Sequence, residues 1–120
     1  MDIENIRDFC LSLNGTSESM PFDDTTIVFK VGTKMFCLES INNKRINIKA
    51  KPEKVIELIE DYSSALPAYH MNKKHWLSIE LDNFLNDKLL KQLILESYNL
   101  VISKMTKKEK EQIQSSQKRN

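Results

Sequence analysis

Thr26-Ile27-Val28-Phe29-Lys30-Val31-Gly32-Thr33-Lys34-Met35-Phe36-Cys37-Leu38-Glu39, followed by Arg45-Ile46-Asn47-Ile48-Lys49, is the stretch that decides the fold. Ile27, Phe29 and Val31 alternate with Val28 and Lys30, which is the period-two pattern of a strand. Gly32-Thr33 is a short turn, and Lys34–Glu39 returns as a second, mostly apolar strand. Asn42-Asn43 turns the chain again. In Arg45–Lys49, Ile46 and Ile48 face one way while Arg45, Asn47 and Lys49 face the other. Strands joined by such short turns lie antiparallel.

Helical spacing takes over on either side. Ile3, Ile6, Cys10 and Leu13 share one face of a helix over 2–13, and Asn14-Gly15 ends it. Pro52 suits the first turn of a helix over 52–63, with Val55, Leu58, Ile59 and Tyr62 as its buried stripe. Ser63 to Pro67 breaks that helix. His75–Leu81 reads as a fourth strand, with Trp76, Ser78 and Glu80 on the face opposite Leu77 and Ile79. Asn86 or Asp87 caps a helix to about Lys104. Thr106-Lys107-Lys108-Glu109 matches a capping box that opens a short helix to Ile113. A further edge strand is placed near Met20–Phe22. The expected class is α+β: two layers, one antiparallel sheet with helices packed on one face. Residues 1–113 form one domain, and 114–120 form a disordered polar tail.

Composition narrows the function. With 40% hydrophobic and 29% charged residues, the 120-residue chain has the make-up of a folded domain. Its apolar runs are too short for a membrane span, and its acidic amphipathic start is unlike a signal peptide. The cytosol is therefore the expected compartment. There, Cys10 and Cys37 are expected to stay reduced, with Cys10 buried on its helix stripe. The formal charge of +1 conceals an asymmetry. Residues 1–24 carry six acids and one base, whereas 25–51 carry six bases and one acid.

The segment Pro67-Ala68-Tyr69-His70-Met71-Asn72-Lys73-Lys74-His75-Trp76 holds both histidines and the single tryptophan. It has no full catalytic set. His70 and His75 are five apart, which fits neither ligation from one helix face nor a common zinc spacing. A Cys10 or Cys37 nucleophile with His70 or His75 as base would need an adjacency the sequence does not show, and Cys10 lies on a buried stripe where thiols are normally inert. No enzyme activity, metal or cofactor is expected.

Together with Pro21-Phe22-Asp23, Val28-Phe29-Lys30-Val31, Lys34-Met35-Phe36, Asn47-Ile48-Lys49 and Ser97-Tyr98, that segment resembles the MmcQ/YjbR family over about residues 1–113. The resemblance implies a fold similar to frataxin and to type III secretion chaperones. It also implies a DNA-binding label that rests on fold analogy. The frataxin-like likeness raises iron binding by Asp2, Glu4 and Asp8, but acids on one helix ordinarily form a solvated face.

On the residues themselves, an uncovered sheet face bearing Lys30, Arg45, Asn47, Lys49, Lys74, Trp76 and Ser78 would suit nucleic acid. Cations meet phosphates, an indole stacks on a base, and Arg or Asn reads base edges. The expected site is Lys30, Arg45, Asn47, Lys49, His70, Asn72, Lys73, Lys74, His75 and Trp76, with DNA ahead of RNA as ligand. A structural reading stands beside it: indoles usually pack, and Asn72 suits a turn. The alternative partner is a protein, bound as by a secretion chaperone along a sheet edge or face. No membrane partner is expected.

Overall fold

The alternation in 26–49 builds the centre of a six-stranded sheet. The computed structural model describes residues 1–68, 71–84 and 86–115. In chain order these form α1 (Ile3–Ser12), β1 (Thr16–Ser19), β2 (Thr26–Val31), β3 (Lys34–Ser40), β4 (Arg45–Lys49), α2 (Pro52–Asp61), β5 (Ala65–Pro67), β6 (Trp76–Glu80), α3 (Asp87–Ser103) and α4 (Lys107–Ser115). A single turn of 3-10 helix, Leu81–Asn83, follows β6. The strand order is β1-β2-β3-β4-β6-β5, and every pairing is antiparallel.

Two edge elements correct the sequence reading. The strand placed near Met20–Phe22 lies earlier, at Thr16–Ser19. Thr16 leads it off by donating its hydroxyl to the Cys10 and Leu13 carbonyls, which ties the strand to the end of α1. The break at Ser63 to Pro67 contains the three-residue β5. Its weak pattern is carried by pairing with β6 rather than by alternation.

Local chemistry sets the helix ends. The Asp2 carboxylate accepts from the Asn5 N–H at 2.8 Å, and the Asn86 side chain accepts from the Leu89 N–H at 3.0 Å. At α4 the capping box closes in both directions. Thr106 Oγ1 accepts from the Glu109 N–H at 3.2 Å, and Glu109 Oε1 accepts from the Thr106 N–H at 3.1 Å. Gly15 has φ +73, and a Cβ there would stand 3.2 Å from the Ile113 side chain. The bare backbone at Gly15 is thus the seat on which α4 docks.

All four helices contribute to one core on one face of the sheet. Ile6 and Cys10, Val55 and Leu58, Leu90, Leu93, Ile94, Tyr98 and Val101, and Ile113 pack with Phe29, Val31, Phe36, Cys37, Ile46, Ile48, Leu77 and Ile79. Both cysteines are buried free thiols. The Cys37 thiol is pushed well up by its hydrogen bond with Cys10 and by burial.

The pairing of β2 with β3 shifts register at Phe29/Lys30, so that Phe36 is the extra residue of a bulge. The bulge sends both Phe36 and Cys37 into the helix-side core. It also frees the Phe36 carbonyl, which accepts from the Ser97 hydroxyl of α3 at 2.6 Å. The same Ser97 oxygen accepts from the Lys49 N–H at 2.8 Å. Tyr98, next along α3, meets Phe36 edge to face at 5.5 Å and donates its hydroxyl to the Asn14 carbonyl.

Glu39 breaks the apolar pattern. Its strand partners are Ile27 and Ile46, it is fully buried, and neither carboxyl oxygen has a hydrogen-bond partner among the described residues. Burial, reinforced by Glu4 and Glu18 and opposed by Arg7, pushes its pKa up to about 7.

Two outcomes follow from this packing. Ser97→Ala strips two backbone groups of their partner and should lower unfolding free energy by about 2–6 kcal/mol in urea titration, at about 1–3 kcal/mol per unsatisfied group. Glu39 is neutral in the fold at pH values where it would ionise in the unfolded chain. Its contribution is therefore intact below about pH 4.5 and is lost as pH rises to about 7. The loss should be on the order of 3 kcal/mol. Glu39→Gln, which cannot ionise, should flatten that slope between pH 5 and 8. An unchanged slope would show that Glu39 is not its source.

Candidate nucleic-acid interface

The second face of the sheet, away from the helices, is organised in rows set by register. Leu38, Asn47 and Ser78 lie side by side across β3, β4 and β6. Thr26, Ser40, Arg45 and Glu80 form the next row. Above these rows runs a groove of about 640 Å³. The loop carrying Phe22 and Asp23 forms one wall, and Pro67, Ala68 and Met71 form the other. Phe22 is 63% exposed, and Met35 and Met71 are half-buried.

The face is therefore only partly open. Trp76 stands on it, as its alternation with Leu77 requires, but is only 9% exposed. With Val28, Leu38 and Ala68 it forms a small second core, against which Met35 and Met71 pack. The face is thus not the uncovered one expected, and the indole follows the structural reading, packing within a core instead of being presented for stacking. Ala68 and Met71 join the indole in this cluster, because the apolar surface of Val28 and Leu38 needs cover on this side too.

Arg45 and Asn47 line the groove, together with Ser78. Arg45 pairs with Glu80 at 3.3 Å across β4 and β6. Lys30 and Lys49 do not line it. Lys30 is half-buried opposite Met35, and Lys49 borders clefts beside α3. Asn72 makes the expected turn, its Oδ1 accepting from the Lys74 N–H at 3.0 Å and its carbonyl accepting from the His75 and Trp76 N–H groups. Lys73 and Lys74 are exposed on that turn, and the half-buried His75 accepts from the Ala50 N–H through its carbonyl at 2.8 Å. His70 and Tyr69 lie outside the described residues, as do residues 116–120 of the tail.

The lysines gather instead at one end of the sheet. β2 ends and β3 begins there with Lys30 and Lys34, and β4 ends there with Lys49 and Lys51 following. β6 begins there after Lys73 and Lys74, since Lys49 pairs with Trp76. The α3–α4 junction adds Lys104, which lines a cleft with Lys34, Lys49 and Met35. Glu109 also borders the cleft. Its carboxyl is held low by the Thr106 hydrogen bonds, with a smaller contribution from Lys34. Lys34, Lys51 and Lys104 were not among the residues expected at the site. The excess of base over acid in 25–51 was the signal for Lys34 and Lys51, but only the sheet topology shows that they meet Lys73, Lys74 and Lys104 at one end.

Among the described residues no three His, Cys, Asp or Glu side chains are grouped to hold a metal ion. No helix among them is long and apolar enough to cross a membrane.

Comparison with known proteins places this architecture. The family model described as YjbR matches residues 11–100. The chain is 35% identical over 112 residues to the uncharacterised protein YbdF of Escherichia coli O157:H7, covering 92% of each. It is 28% identical over 105 residues to the uncharacterised protein YjbR of Escherichia coli K12, covering 86% of this chain and 89% of that one. Among solved structures, Deinococcus radiodurans protein DR2400 superposes with a TM-score of 0.88 at 37% identity, over 94% of this chain and 88% of that one. A Pseudomonas syringae protein superposes with a TM-score of 0.72 at 26% identity, over 83% of this chain and 98% of that one.

The placement of the single tryptophan gives a direct check. Native emission should be blue-shifted and poorly quenched by iodide, and Trp76→Ala should lower stability by about 3–5 kcal/mol. Quenching as efficient as in the unfolded chain would refute a packed indole.

Proposed function

The chain belongs to the YjbR family, and we propose that it binds nucleic acid through the lysine-rich end of its sheet. The observation that carries this reading is the convergence of Lys30, Lys34, Lys49, Lys51, Lys73, Lys74 and Lys104 from four separate connections onto one end. Each connection could fold without its lysines, and like charges brought together oppose the compact state. A polyanion relieves that repulsion. Each neutralised phosphate releases condensed counterions, which supplies affinity without reading sequence. Lysine is a point charge suited to phosphate contact, whereas the one arginine on the sheet, Arg45, is held to Glu80.

No catalytic step is assigned to the protein. The two thiols are buried in the core, and Glu39, the one carboxyl among the described residues with a strongly raised pKa, is fully buried within the sheet.

Salt dependence tests the proposal. The affinity for a short duplex should fall log-linearly with salt. Replacing the exposed Lys34, Lys51 and Lys104 together with alanine should reduce the slope by about 2–3 units. The melting temperature should stay within about 4 °C, since exposed lysines contribute little to stability. Fluorescence anisotropy at a series of salt concentrations measures both. An unchanged slope, or no binding at about 100 μM protein in low salt, would reject the reading.

A further inference from the structure

We infer that the groove on the second sheet face lodges an unpaired nucleobase from a single strand whose phosphates lie on the lysine end. This inference rests on the nucleic-acid reading above and adds to it the strand form and the base-binding position.

Continuity comes first. Met35 borders both the groove and the cleft lined by Lys34, Lys49 and Lys104. A strand crossing the lysines therefore has the groove mouth beside it. The size is right for a nucleoside, since pockets for small organic ligands run from about 300 to 1,000 Å³, and this one is about 640 Å³.

The lining is mixed in the way a base requires. A base has apolar π-faces and a polar edge. The exposed Phe22 ring and the Met35, Leu38 and Met71 side chains offer surfaces for the faces. On the floor, the Asn47 amide and Ser78 hydroxyl stand directly opposite each other on β4 and β6. Neither side chain is hydrogen-bonded to any other described residue, so the Asn47 amide, with its two donors and an acceptor carbonyl, can pair with a base edge. The one carboxylate of the wall, Asp23, is turned to its own loop. It accepts from the Thr25 N–H and from the Thr25 and Thr26 hydroxyls, and these bonds hold its pKa low.

A duplex cannot use this groove. Its base faces are stacked, and only unstacked bases reach an aromatic or amide-lined recess. A duplex would be left with the lysines alone. A protein segment is the less favoured occupant, because nothing in the groove calls for the lysines at its mouth.

The experiment is fluorescence anisotropy at constant salt with labelled 12-nucleotide probes: single-stranded DNA, single-stranded RNA of the same sequence, their duplexes, and an abasic DNA strand. One of the two single strands should bind at least tenfold more tightly than its duplex, and that arm identifies the sugar. The abasic strand should lose the advantage. Phe22→Ala and Asn47→Ala should each weaken single-strand binding about fivefold or more, with duplex affinity and melting temperature unchanged. If duplex and abasic strand bind as tightly as single strands, the groove inference is overturned while the lysine reading stands on its salt slope. If both variants leave every affinity unchanged, the inference is likewise overturned and the groove is left to a protein segment. If no probe binds, both readings fall.

Discussion

Ser97 contributes one oxygen atom, and the two layers of the protein are joined through it. It donates to the carbonyl freed by the Phe36 bulge and accepts from the Lys49 N–H, so α3 is tied to β3 and β4 at once. Without the bulge, Phe36 would point to the second face and Tyr98 would lose its edge-to-face partner. With it, β3 delivers Phe36 and Cys37 to the helices while its Met35 and Leu38 turn toward the groove. The same point decides where Lys49 emerges, and hence where the basic end lies relative to the groove. A hydroxyl is small enough to sit between helix and sheet and can serve as donor and acceptor together.

Much of this fold was legible in the sequence, because its central elements obey one period each. Strands 26–31 and 45–49 and the start of α2 at Pro52 match their expected positions, and the capping box at Thr106 closes as its spacing requires. What escaped was structure defined by partners. β5 has three residues and no period of its own, and β1 is polar throughout. The bulge left no mark, since Phe36 and Cys37 are both apolar and read as ordinary alternation either way. Glu39 gave no warning either: a carboxyl in an apolar strand is assigned to solvent unless the opposite register is known.

The candidate site divided along the same line. Charge composition foresaw a basic middle of the chain, and face alternation foresaw that Arg45, Asn47, Trp76 and Ser78 share a surface. Neither could show that Trp76 would pack with Val28, Leu38 and Ala68, because that burial depends on tertiary contacts the sequence does not encode locally. Phe22 entered the sequence reading only at the end of a misplaced edge strand and within a family string, although it is the most exposed of the large hydrophobic residues among those described. An exposed aromatic is visible only once burial is known.

The outer strands carry a consequence for how the protein behaves in a crowded solution. β1 has four residues and presents Glu18, which is clasped by Arg7 at 2.6 Å; β5 has three and ends in Pro67, which has no N–H to give. A sheet polymerises when a long, flat edge offers a ladder of unpaired backbone groups to another copy. Here the four long, apolar strands of the interior are shielded by two margins too short, too charged or too poor in donors to template a neighbour. The protein can thus keep a sheet rich in Ile, Val and Phe at its centre without that sheet becoming a seed for its own aggregation.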